Sequence, residues 1–125
     1  MTQKPGTVGW IDLTVDDCET VRSFYESVVG WQTSPIKMGD YDDYCMLPAP
    51  GAEPVAGICH AKGVNAGLPA AWMIYITVAD LQESLENCRR LGGEVLQQRA
   101  PDNHGQLAVI KDPSGATGTL LQPAV

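Results

Sequence analysis

No apolar run in this 125-residue chain approaches the roughly 20 residues that a membrane-spanning helix requires. The opening stretch Met1-Thr2-Gln3-Lys4-Pro5-Gly6 lacks the apolar centre of a signal peptide. A soluble, cytoplasmic protein is therefore expected. Basic residues are few: Lys and Arg total 8 against 15 Asp and Glu, a formal charge of −7. No basic stripe exists to follow a phosphate backbone, which argues against nucleic acid as a partner. The acidic excess reads as a solubilising surface. Cys18, Cys45, Cys59 and Cys88 form no C-x-x-C pair. With no secretion signal they read as packing thiols rather than a disulfide framework. Cys59 and His60 are neighbours, but adjacent strand residues point to opposite faces and do not share an ion easily. Serine-nucleophile motifs, phosphate loops and nucleotide fingerprints are absent.

What is present is a repeat. Thr14-Val15-Asp16-Asp17 returns as Thr77-Val78-Ala79-Asp80, an offset of 63 residues. Each copy follows a short apolar stretch, precedes a helical pattern and runs on to a glycine, Gly30 or Gly93. A long period used only twice marks a duplicated supersecondary unit rather than a solenoid. Unit one is expected over about 6–61, a Gly/Pro linker over about 62–69 and unit two over about 70–123, all within one domain, 1–125.

In unit one, Val8 to Val15 alternates as a strand, with Ile11, Leu13 and Val15 opposite Trp10, Asp12 and Thr14. Asp16 and Glu19 have capping-box spacing and predict a helix start. Val21, Phe24, Tyr25, Val28 and Val29 recur at helical spacing and predict a buried stripe. Gly30 ends that helix. Strands follow over Trp31–Lys37, where Pro35 demands an edge or a bulge, then Tyr41–Leu47 and Val55–Ala61. In unit two, Ala71–Val78 is a strand. Asp80 and Glu83 repeat the box, and Leu81, Leu85, Cys88 and Leu91 form the stripe. Strands over Glu94–Ala100, Gln106–Lys111 and Thr117–Gln122 complete it, with Asp112-Pro113-Ser114-Gly115 as a tight turn. Each half is β-α-β-β-β, and the class is α+β.

This order resembles the vicinal oxygen chelate superfamily, which includes glyoxalase, bleomycin-resistance proteins and extradiol dioxygenases. The residues that carry the resemblance are the strand ending Leu13 to Asp17, Phe24-Tyr25 before Gly30-Trp31, Trp72 to Asp80, and the Asp112 to Gly115 turn. The segment Gly115 to Pro123 is also similar to a glyoxalase-like subgroup. The resemblance implies two curled half-barrel sheets with helices on the outer face, a small-molecule cleft, and a homodimer.

In metal-using members of that superfamily, ligands come from the first and fourth strands of each unit. The matching positions here are Trp10, Gly57, Met73 and Thr119. Indole and glycine supply no ligand, and a thioether is soft and weak for the ions this fold uses. The metal site implied by the resemblance is expected to be lost, and no cofactor is expected. The same face carries Trp10, Asp12, Gly57, Met73, Tyr75 and Thr119, a mostly apolar wall with a few polar groups. That composition suits a small-molecule pocket, or side chains that simply fill the space.

Asp12 is the candidate general base, because burial raises a carboxylate pKa toward a useful range. A structural hydrogen bond is its alternative role. Two functions stand side by side at this point. One is a metal-independent binder of a small organic molecule; the other is a lyase or isomerase that uses Asp12. A cleft without a function, on a protein that works through its dimer surface, is a third. His104 reads as a turn residue and His60 as a strand end on the helix side. Tyr41 and Tyr44 read as strand aromatics or as a cover for the cleft mouth.

Overall fold

The computed structural model describes residues 3–124; Met1, Thr2 and Val125 lie outside the described residues. The class is α+β, as expected, with β1 (Val8–Val15), α1 (Cys18–Val29), β2 (Gln32–Lys37), β3 (Asp42–Leu47) and β4 (Ala56–His60) in the first half. The second half holds β5 (Trp72–Thr77), α2 (Leu81–Arg90), β6 (Glu94–Gln98), β7 (Gly105–Lys111) and β8 (Thr117–Pro123). Both halves are β-α-β-β-β. A single 3-10 turn, Gly63–Asn65, lies in the expected linker. By contacts the chain divides into two compact units. One is Ile11–Trp72; the other joins the stretch through Trp10 to the chain from Met73 onward. That second grouping reflects backbone pairing, since Gly6 N–H donates to Thr77 O at 2.7 Å and Thr77 N–H donates to Thr7 O at 2.9 Å.

In the first unit the strand order is β2-β3-β4-β1. Pro35 sits on β2, at the end of that order, where its missing N–H costs no ladder bond. β1 and β4 run parallel, with Asp12 opposite Gly57 and Leu13 opposite Ile58. Leu13, Met46, Ala56 and Ile58 form the core with Cys18 of α1. Fully burying an aliphatic side chain of this size contributes about 1.5–3 kcal/mol. Tyr25, Trp31 and Trp72 pack beside it with ring centroids 5.3–6.1 Å apart. The indole N–H of Trp72 donates to the Tyr25 hydroxyl at 3.1 Å.

Two details of α1 differ from expectation. The N-cap is Asp17 rather than Asp16: its Oδ1 accepts from Thr20 N–H at 3.2 Å. Glu19 does not close a box. It accepts instead from the Tyr44 hydroxyl at 2.7 Å and from Arg22 at 2.8 Å. The apolar stripe is also only half used. Val21 and Tyr25 pack on the core, but Phe24, Val28 and Val29 are 55%, 63% and 52% exposed. Gly30 closes the helix as expected, with φ 85° and its N–H on Glu26 O, a left-handed conformation that favours glycine.

In the second unit the order is β5-β8-β7-β6. Leu81, Leu85, Ala108 and Leu120 make the core. Asp80 caps α2 as expected, accepting from Glu83 N–H at 3.1 Å. Leu91 lies beyond the last helical residue and is 64% exposed, so the predicted stripe stops short of it. A bulge between Val95 and Gln97 interrupts the β6–β7 ladder, and such an extra residue bends a strand. The Asp112 carboxylate accepts from Ser114 N–H at 2.7 Å and from Ala116 N–H at 3.1 Å, fixing the turn into β8. No helix among the described residues is long and apolar enough to cross a membrane.

Candidate functional site

The register of the second unit defines its two faces. Ile76 and Leu120 turn toward α2 and join the core. Tyr75 and Thr77, one position either side, therefore belong to the opposite face. They pair with Thr119 and Leu121 across the parallel β5–β8 ladder. On this side lies a cavity of about 380 Å³, lined by Trp10, Tyr75, Thr77, Asn103, His104 and Leu121 among others. Two of the expected ligand-binding residues, Trp10 and Tyr75, meet there. Both are half-buried, so each offers ring surface to a guest. Gly9 also borders the cavity. The space its side chain would take is filled by the Gln3 amide.

His104 and Asn103 reach the cavity through strand register. Gly105 pairs with Pro123, and Ala124 N–H donates to His104 O at 3.1 Å. The β6–β7 turn is thereby held at the end of β8. Asp102 orders the turn: its Oδ1 accepts from His104 N–H at 2.8 Å and stands 3.8 Å from His104 Nδ1. Nothing local in the sequence marks His104 as more than a turn residue, because its position depends on long-range pairing.

The other expected residues lie elsewhere. Met73 and Thr119 are 2% and 1% exposed and are not among the residues lining this cavity. Asp12 and Gly57 face each other across β1 and β4 in the first unit, and Cys45 flanks Gly57 on the other side. The Cys45 thiol is pushed up by burial and then by the Asp12 charge. Cys59 is pushed up by burial first, with Asp12 and Asp43 adding to it. The Asp12 charge thus raises both thiols, after burial. Cys18 is pushed up to about 12, mainly by burial. All four cysteines are free.

His60 lies on the helix side, its Nε2 3.7 Å from Glu19 Oε2. Tyr41 stacks edge-on against it at 5.1 Å, and Arg22 sits 4.5 Å over the Tyr44 ring. The two tyrosines belong with α1 and His60 rather than over a cleft. Asp43 is buried and accepts from His60 N–H at 2.8 Å. Arg99 Nε donates to Gln97 Oε1 at 3.0 Å. Among the described residues, no three His, Cys, Asp or Glu side chains converge so as to hold a metal ion.

The chain is 31% identical over 125 residues to CFP32 of Mycobacterium tuberculosis, which carries the name of a glyoxylase; the match covers 99% of this chain and 47% of that protein. It is 29% identical over 122 residues to the anthracycline biosynthesis protein DnrV of Streptomyces peucetius, covering 98% of this chain and 43% of that one. The chain thus spans about half the length of these curated relatives. Among solved structures, methylmalonyl-CoA epimerase from Mycobacterium tuberculosis aligns with a TM-score of 0.56 at 18% identity, over 100% of this chain and 94% of the other. The Streptomyces coelicolor epimerase bound to 2-nitronate-propionyl-CoA gives 0.54 at 13% identity, over 98% and 100%. At such identities these two establish the fold alone. The model of the Glyoxalase/Bleomycin resistance protein/Dioxygenase superfamily matches residues 7–117, and the chain belongs to that family.

Proposed function

We propose that this protein binds a small, flat organic molecule in the Trp10–Tyr75 cavity and does so without a metal ion. One observation carries the proposal. Trp10 and Tyr75, which are 65 positions apart in sequence, meet on one cavity of about 380 Å³ together with Thr77, Asn103 and His104. Aromatic walls with a few polar groups suit a ring system with hydrogen-bonding substituents. DnrV is named for anthracycline biosynthesis, and anthracyclines are fused planar rings, so flat polycyclic compounds are the first class to test.

The donor set supports the metal-free part. The four positions matched to the family's ligands hold Trp10, Gly57, Met73 and Thr119. These residues do not fit a zinc, iron, manganese or nickel ion. We further place the protein in the cytoplasm as a homodimer; sedimentation of the purified protein tests the dimer, and fractionation of the cells tests the location. A thermal-shift screen of fused-ring compounds tests the binding itself, because a ligand specific to the folded state raises Tm. The expected outcome is a shift in the parent protein that is lost in Tyr75→Ala. A cavity that accepts no compound in a broad panel overturns the proposal.

A second function rests on Asp12. Its rung partner is Gly57, and its charge reaches Cys45 and Cys59. A lyase or isomerase with Asp12 as general base would lose activity in Asp12→Asn and keep it in the presence of a chelator. Equal activity in that variant removes Asp12 from the chemistry.

A further inference from the structure

The Trp10–Tyr75 cavity does not end at Thr77. A second cavity of about 350 Å³ shares Gln3, Thr77, Pro123 and Ala124 with it. A third, of about 290 Å³, shares Pro5, Thr77, Val78 and Ala79 with the second. Thr77 borders all three; the first lies on the face away from α2, and the third reaches the α2 side, where Ile76, Ser84 and Asn87 also line it. The N-terminal stretch forms a wall of this run. Its backbone is held beside β5 by the hydrogen bonds of Gly6 and Thr7 with Thr77.

The lining changes character along the run. Aromatic rings stand at one end. Pro5, Val78, Ala79 and Pro123 make a largely apolar middle. Asp80 and Glu83 border the far end. Among the described residues that line the three cavities there is no Lys or Arg, and Asp80 and Glu83 are the carboxylates. Among these lining residues a phosphate or carboxylate tail finds no cationic partner, and at the third cavity it meets like charge.

We infer that the ligand is elongated, with a ring held by Trp10 and Tyr75 and an uncharged or cationic tail lying past Thr77 toward Ala79. This rests on the binding function proposed above. An extended, tail-bearing molecule uses apolar surface that a bare ring leaves open to water. The groove therefore discriminates by tail length and tail charge, while the ring sets the anchor.

Calorimetric titration with three probes tests it: 2-naphthamide, N-butyl-2-naphthamide and 4-(2-naphthamido)butanoate. The butyl compound is expected to bind about tenfold tighter than the bare ring, since each buried methylene strengthens binding. The butanoate is expected to lose most of that gain at low salt and to recover part of it as salt screens the repulsion. Ala79 is exposed and borders only the second and third cavities. Ala79→Trp is therefore expected to erase the butyl gain and leave 2-naphthamide binding unchanged. If 2-naphthamide binds and the butyl tail adds nothing, the elongated ligand is overturned and the ring site stands. A butanoate that binds as tightly as the butyl compound overturns the charge selection. If none of the three binds, the ring site and the tail groove fall together.

Discussion

Asp12 stands directly beside Gly57 on the parallel β1–β4 ladder, so its carboxylate borders a rung that has no side chain. Cys45 occupies the other side of that rung, and the Asp12 charge helps hold its thiol protonated, after burial. Asp12→Asn removes the second of those causes and leaves the first. The Cys45 thiol should then ionise at lower pH, and its alkylation near pH 8 should quicken about two- to fivefold. Peptide mapping after a timed iodoacetamide pulse reads this out. An unchanged rate places Asp12 away from the thiol.

The helix cap is equally open to test. Asp17, not Asp16, accepts from the Thr20 N–H. Hydrogen bonds from Thr20 hold its carboxyl below the ordinary range. Asp17→Ala should lower Tm by a few degrees, and Asp16→Ala should leave it unchanged. The reverse order would restore the capping box expected from the sequence.

Acid sensitivity should trace to Glu19. The Tyr44 hydroxyl, followed by Arg22, holds its carboxyl below the usual glutamate range. The folded state thus prefers the ionised form. That stabilisation is complete above the unfolded glutamate pKa of about 4.3 and is lost as pH falls through the lower folded value. Tyr44→Phe keeps the ring beneath Arg22 but removes the hydroxyl. Its urea midpoint should fall less than that of the parent between about pH 6 and pH 3. Equal pH slopes would remove the Tyr44–Glu19 bond as the source.

Helix burial separates residues that look alike in sequence. Leu85 is fully buried and Val28 is 63% exposed. Leu85→Ala should cost about 3 kcal/mol, whereas Val28→Ser should change stability by less than about 0.5 kcal/mol. Denaturant titration of both variants decides it. A large loss at Val28 would show that this face of α1 is covered in solution.

Local signals carried much of the fold into view. Alternation of Ile11, Leu13 and Val15 with Asp12 and Thr14 marks β1, and Asp80 with Glu83 marks the start of α2. Adjacent acids at Asp16 and Asp17 blurred the start of α1: the cap bond goes to Asp17, and Glu19, which would close a box with Asp16, binds Tyr44 and Arg22 instead. Helical periodicity nominated Phe24, Val28 and Val29 for burial, but periodicity cannot tell how wide a face the sheet requires. For the site, Trp10 and Tyr75 were legible as residues of the face away from the helices. Met73 and Thr119 share that pattern, yet packing encloses them. His104 was illegible, since its place follows from the pairing of Gly105 with Pro123, a long-range register that no local pattern encodes.

The most direct test is a calorimetric titration of chelator-treated protein with the fused-ring compound that gives the largest thermal shift. Saturable binding at one site per chain is expected, undiminished by the chelator and weakened about tenfold in Tyr75→Ala. Binding that requires an added divalent metal, or that is equally tight in Tyr75→Ala, would contradict a metal-free aromatic site.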